Sequence, residues 1–183
     1  MNSTYILSAV ILIILAGMIV IYNKGIVLKN YVKEAFSTMD VYLKKRWDLI
    51  PNLIETVKAY NMHEKDLLTN ITQLRNTNYS GLNDDEIIDI NSKLDVGLSK
   101  LIAVAENYPD LKANQNFIVL MEQLSLVEDE IASARKYYNG TVRELNTFTE
   151  VFPSNIICML FAVKPAKLFE ISERERENIK VEF

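Results

Sequence analysis

The chain has one cysteine, Cys158, and one histidine, His63, among 183 residues. A single thiol excludes an intrachain disulfide and agrees with a reducing compartment. The same scarcity removes the usual metal centres. A zinc site needs more Cys and His ligands than exist here, and a carboxylate-bridged di-iron bundle needs Glu-x-x-His on two helices. Cys158 and His63 have no surrounding pattern that would make them a nucleophile and its base. Only five glycines and four prolines leave little turn material for a many-stranded fold. No G-x-G-x-x-G or G-x-x-x-x-G-K sequence is present to cradle a phosphate. The net charge of −4 argues against general nucleic-acid binding, whose footprint is a basic face. No cofactor is expected.

Charge is also missing from one end: residues 1–23 contain no Asp, Glu, Lys or Arg. Within them Tyr5 to Tyr22, YILSAVILIILAGMIVIY, would rise about 27 Å as a helix, close to the roughly 30 Å of a bilayer's hydrocarbon core. Tyr5 and Tyr22 stand at its two ends, where amphipathic rings suit the headgroup level. A cleaved signal peptide would want a basic start and small residues before a cleavage point, and MNSTY supplies neither. A core helix would need a larger partner than the remaining chain offers. Residues 1–23 are therefore expected to be a retained, single-pass anchor contacting the lipid bilayer through residues 5–22. Lys24, Lys29, Lys33, Lys44, Lys45 and Arg46 follow, against Glu34 and Asp40, so the positive-inside tendency places the bulk in the cytoplasm with the N-terminus outside. The opposite orientation is the alternative.

Residues 24–150 read as a helical body large enough for a core. From Leu28 through Val32, Ala35, Met39, Tyr42, Arg46, Leu49, Leu53 and Val57 to Tyr60, Glu64, Leu67, Ile71 and Leu74, inward positions recur at steps of three or four. Pro51 interrupts the pattern, so a break or a kink is expected near Asp48 to Pro51; a break is favoured, with Asp48 able to cap a new helix. Asn76 to Glu86 reads as a loop in which Asn83, followed by Asp84, Asp85 and Glu86, opens a helix. That helix carries Ile87, Ile90, Leu94, Leu98 and Leu101 inward up to Pro109. A last long helix is expected from about Asp110 to Phe148, with Gly140 a point of fraying or bending. The fold class is all-α: an N-terminal transmembrane helix followed by an antiparallel four-helix bundle.

Polar residues on or beside these stripes form the candidate network: Arg46, Glu64, Arg75, Glu106, Glu128, Arg135 and Asn146. Buried members need partners across helices, since an unpaired buried charge is costly. Such a set can be a binding or catalytic site, or a structural layer that fixes helix register. The second reading is favoured, and no catalytic residue is assigned. Four N-x-S/T sequences, at Asn2, Asn70, Asn78 and Asn139, read as chance in an Asn-rich chain.

Three motifs together, KRWDLIPNLIETVKAYNMHEKDLL (45–68), AENYPDLKANQNFIVLMEQLSLVEDEIASARKYYN (105–139) and FPSNIICMLF (152–161), closely resemble the LemA family in order and spacing. The resemblance covers nearly the whole chain. It implies a bacterial or archaeal single-pass membrane protein with a helical-bundle domain and no established enzymatic activity. The family's usual pattern falls on Arg46, Asp48, Pro51, Asn52, His63, Glu64, Glu106, Tyr108, Pro109, Glu128, Arg135, Tyr138, Asn146 and Pro153, among others. Trp47 replaces a common tyrosine, and Gly140 stands where a better helix former is usual. No cysteine stands directly after the apolar segment, so the lipid anchor of some relatives is not implied.

In residues 151–183, Ile156, Ile157, Met159, Leu160, Phe161 and Val163 form an apolar patch beside Lys164 and Lys167. It is expected either to pack on the end of the bundle or to lie on a membrane or partner as an interfacial helix. SEREREN beyond Pro165 reads as solvated and IKVEF as an extended tail. The expected function is that of a non-enzymatic interaction or scaffold protein at the cell membrane, with a protein partner of unknown identity. The alternative is a subunit of a membrane-associated enzyme complex that uses the Arg/Glu groups as a polar site.

Overall fold

A computed structural model describes residues 2–60 and 65–169, and within them the chain is all-α with no strand. Six α-helices follow in order: α1 (Asn2–Lys58), α2 (Lys65–Arg75), α3 (Asp84–Ala105), α4 (Pro109–Lys112), α5 (Gln115–Glu150) and α6 (Ser154–Leu160). A 3-10 turn, Tyr79–Gly81, lies between α2 and α3. His63, Glu64, SEREREN and IKVEF lie outside the described residues.

α1 begins with the uncharged segment and is the one described helix long and apolar enough to cross a membrane. Its apolar window is not buried by protein at all, which separates it from the core helix of a soluble domain. The expected break at Pro51 does not occur, because α1 continues to Lys58. Proline inside a helix forfeits a hydrogen bond and crowds the carbonyl four residues back, at about 3 kcal/mol. Here Trp47, Ile50, Leu53, Ile54 and Val57 are all buried around it, and their burial holds the turn helical. Asp48 caps nothing; its carboxylate bonds Lys44 one turn back on the exposed face. The inward face is also wider than a single stripe: Phe36, Leu43, Trp47 and Ile50 are buried, while Tyr42 and Leu49 are only half-buried.

Asn83 starts α3 through a capping box: its Oδ1 accepts the Glu86 N–H at 3.0 Å and its own N–H donates to Glu86 Oε2 at 2.8 Å. The last long helix starts later than expected. Pro109–Lys112 is a separate turn, and Asn114 restarts the chain by accepting the Phe117 N–H at 3.0 Å. Its amide also donates to the Tyr60 hydroxyl at 2.7 Å. From Gln115 to Glu150 α5 is then unbroken, Gly140 included.

The chain packs as two units. One comprises the first part of α1, up to Ser37, and Lys136–Leu168; Leu28, Leu145, Cys158 and Val163 form its apolar cluster. Gly25 allows a close approach there, since an added Cβ would meet the Phe148 ring at 3.3 Å and the ring would have to shift. After α6, Ala162 takes the left-handed conformation (φ 54°), and the Val163 N–H closes the helix end on the Cys158 carbonyl at 2.9 Å. The turn sends Val163 back into the cluster. The other unit comprises Thr38–Arg135 with Phe169; Met39, Leu43, Ile71, Leu94, Leu111 and Ile131 are among its fully buried side chains.

Candidate functional site

Arg46 occupies an inward position of α1 between Leu43 and Ile50 and is fully buried, so its guanidinium must be met within the fold. Two elements meet it. On α3, Asn91 and Asp95 lie one turn apart: Asn91 Oδ1 accepts from Arg46 Nη2 at 2.7 Å, and Asp95 Oδ1 accepts from Nη1. On α5, Glu128 accepts from the same Nη1 at 3.0 Å. Asp95 then bridges to a second cation, its Oδ2 lying 3.2 Å from Arg135 Nη2. The Arg135 guanidinium stacks over the Phe169 ring, 4.3 Å from the centroid. Two guanidinium groups and two carboxylates thus close on one another across three helices with no net charge. Asn91 is itself oriented, its amide donating to the Ile87 carbonyl at 2.9 Å.

Tyr79 extends the cluster. Its hydroxyl donates to Asp40 at 2.6 Å, and its ring tilts on Trp47 with centroids 5.0 Å apart. Burial first, then the bond to Asp40 and that carboxylate's charge, push the phenol well above its ordinary value; Asn91 and the Arg46 charge pull weakly the other way. The group is a hydrogen-bond donor and not an acid at neutral pH. Burial likewise raises the Cys158 thiol, which disfavours the nucleophilic thiolate.

Asp95 and Glu128 also border a cleft of about 350 Å³ between α3 and α5, lined by Leu98, Ser99, Ile102, Met121, Leu124 and Ser125. The carboxylates facing it are already engaged by Arg46 and Arg135. Among the described residues no group of His, Cys, Asp and Glu is placed to hold a metal ion.

Of the residues singled out from the sequence, Arg46 and Glu128 meet directly, and Arg135 joins them through Asp95. Arg75 is exposed at the end of α2, and Glu106 is exposed at the end of α3. Asn146 belongs to the other unit, where its amide accepts the Ala166 N–H and donates to the Ala166 carbonyl, both at 2.9 Å. Glu64 lies outside the described residues. Sequence reasoning missed Asn91, Asp95, Tyr79 and Asp40. A signal existed for two of them: Asn91 and Asp95, four residues apart, flank the Leu94 and Leu98 stripe of α3.

The family whose model matches this chain is the LemA family, over residues 35–183. Protein LemA of Metamycoplasma hominis is 26% identical over 153 residues, which cover 82% of this chain and 69% of that protein. Magnetosome proteins MamQ 1 and MamQ 2 of Paramagnetospirillum magneticum are each 30% identical over 73 residues, 40% of this chain and 27% of theirs. With a match that begins in α1 and takes in both Arg46 and the carboxylates that clamp it, the chain belongs to the LemA family.

Proposed function

We propose that the chain is a membrane-tethered interaction protein: α1 crosses the cell membrane once, and the helical body, on the cytoplasmic side, presents its surface to a protein partner. The observation that carries this reading is an apolar helical segment with no protein cover that continues without interruption into a packed helix. Lys24, Lys29 and Lys33 just beyond the apolar segment support the cytoplasmic placement. The closed charge cluster supports a structural role for the polar residues, since groups that neutralise one another are poor donors of protons or charge to a substrate. Proximity labelling in intact cells tests the reading: a reproducible set of neighbours is expected, and a protein that captures none and leaves membrane organisation unchanged on deletion overturns it. Topology is read from Leu126→Cys, at an exposed position on α5, because Cys158 is buried. Modification by an impermeant reagent in intact cells contradicts the orientation.

The rival reading, a subunit of a membrane-associated enzyme complex, draws support from the cleft beside Asp95 and Glu128. Engagement of both carboxylates by arginines weighs against it.

A further inference from the structure

α6 has the composition of a buried helix but only one protein-covered face. Ser154, Ile157 and Cys158 point inward. On its other side and flanks, Phe152 is 79% exposed, Met159 78%, Leu160 67%, Phe161 55% and Ile156 44%. A short helix with apolar side chains on two faces needs cover on both, and water is the wrong solvent for the second. Single exposed apolar residues are ordinary on protein surfaces; a run of five on one seven-residue helix and its two ends marks a contact site.

What covers it is indicated by what it touches. The Phe161 ring packs on Tyr22, with centroids 4.8 Å apart, and Tyr22 closes the apolar segment of α1. The apolar face of α6 is therefore held at the end of the proposed span, the level at which amphipathic rings meet headgroups. The charges nearby suit that level. Lys24 lies over the Phe148 ring at 5.6 Å and lines, with Arg143 and the single carboxylate Glu144, a groove of about 380 Å³ in which basic groups are in excess. Lys164, just past the turn, is exposed. Lysines beside an exposed apolar face match an interface with acyl chains below and anionic headgroups above.

We infer that α6 with Phe152 and Phe161 is a second membrane contact, seated in the acyl–headgroup boundary of the leaflet where the span ends. This rests on the reading that α1 crosses the membrane. The two contacts together restrain the unit's tilt about the span, where a lone helix would leave it free to swing.

The test is quenching of tryptophan emission by brominated acyl chains, with the full chain reconstituted in vesicles of phosphatidylcholine and phosphatidylglycerol. The native Trp47 is buried and gives the baseline. Met159→Trp reports on α6, Leu12→Trp on the span, and Leu126→Trp on an exposed site of the body, with Leu160→Trp as a second α6 reporter should the first disturb folding by circular dichroism. The expected result is added emission that is strongly quenched at 12 and at 159 or 160, and unquenched at 126. Quenching at 12 with none on α6 overturns the second contact and leaves the span standing. A blue-shifted, unquenched α6 signal also overturns it, because a second protein surface is then the cover. No quenching at 12 overturns the span and this inference together, and quenching at 126 shows a body lying flat and removes any special role for α6.

Discussion

The two packing units bury their polar groups by different means. In the unit built from Thr38–Arg135 and Phe169, ionised side chains meet one another: Arg46 and Arg135 against Asp95 and Glu128. In the unit built from the first part of α1 and Lys136–Leu168, side chains meet backbone: Asn146 grips both polar groups of Ala166, Tyr138 donates to the Lys167 carbonyl at 2.8 Å, and Ser154 donates to the carbonyls of Phe148 and Val151. The reason lies in what each must satisfy. Residues 163–168 follow no regular secondary structure, so their backbone groups lack helical partners and side chains must supply them. Regular helices already pair their own backbones, so the polar groups left to satisfy inside that unit are side chains, and these meet one another.

Removing the centre of the charge cluster should produce the largest effect. Arg46→Met leaves two carboxylates facing a cleft without their shared cation, and a loss of about 3–5 kcal/mol in chemical denaturation is expected. Glu128→Gln, at a side chain 40% exposed, should cost no more than about 1 kcal/mol. Equal losses from the two would show that the cluster is held by something other than the buried guanidinium. Next is Asn146→Leu, which strands the N–H and carbonyl of Ala166; a loss of about 2 kcal/mol is expected, with amide-exchange protection falling at residues 163–168 and kept in α3. Protection lost equally in both units would erase the contrast between them.

Tyr79→Phe removes the bond to Asp40 and should cost about 1 kcal/mol near neutral pH. It also has a pH signature. The folded phenol is raised above its ordinary value near 10, so its stabilising term is intact below that pH and is lost as pH climbs beyond it, where unfolded chains ionise first. The variant should therefore lose stability less steeply in alkali than the parent chain. The smallest effect is of opposite sign. At Gly140 an added Cβ meets nothing within 4 Å, so Gly140→Ala should stabilise α5 by about 0.5–1 kcal/mol in thermal unfolding.

Much of this arrangement was legible beforehand, and the exceptions have a common cause. The helical class, the apolar start of α1 and the Asn83 cap all follow from residues within a few positions of one another. Pro51 misled because a propensity of about 3 kcal/mol is large locally and small beside the burial of Trp47, Ile50 and Leu53 on either side. Arg46 and Glu128 stood out because each lies on or beside an apolar stripe, but Asp95, the carboxylate that joins both arginines, sits one position off its stripe and was not singled out. Glu106 and Arg75 satisfied the same sequence criterion as Arg46 and are exposed, so stripe position alone does not decide burial.

The sequence by itself determined the elements: an uncharged helix long enough to cross a bilayer, amphipathic helices after it, and a ligand set too poor in Cys and His for the common metal sites. Tertiary structure alone decided which charges meet, how the irregular stretch after α6 is fastened, and that α6 hides one apolar face and bares the other beside Tyr22. Helix formation and hydropathy are sums over neighbours in the chain, whereas a charge pair or an uncovered face depends on the register of segments far apart in it, which only packing sets.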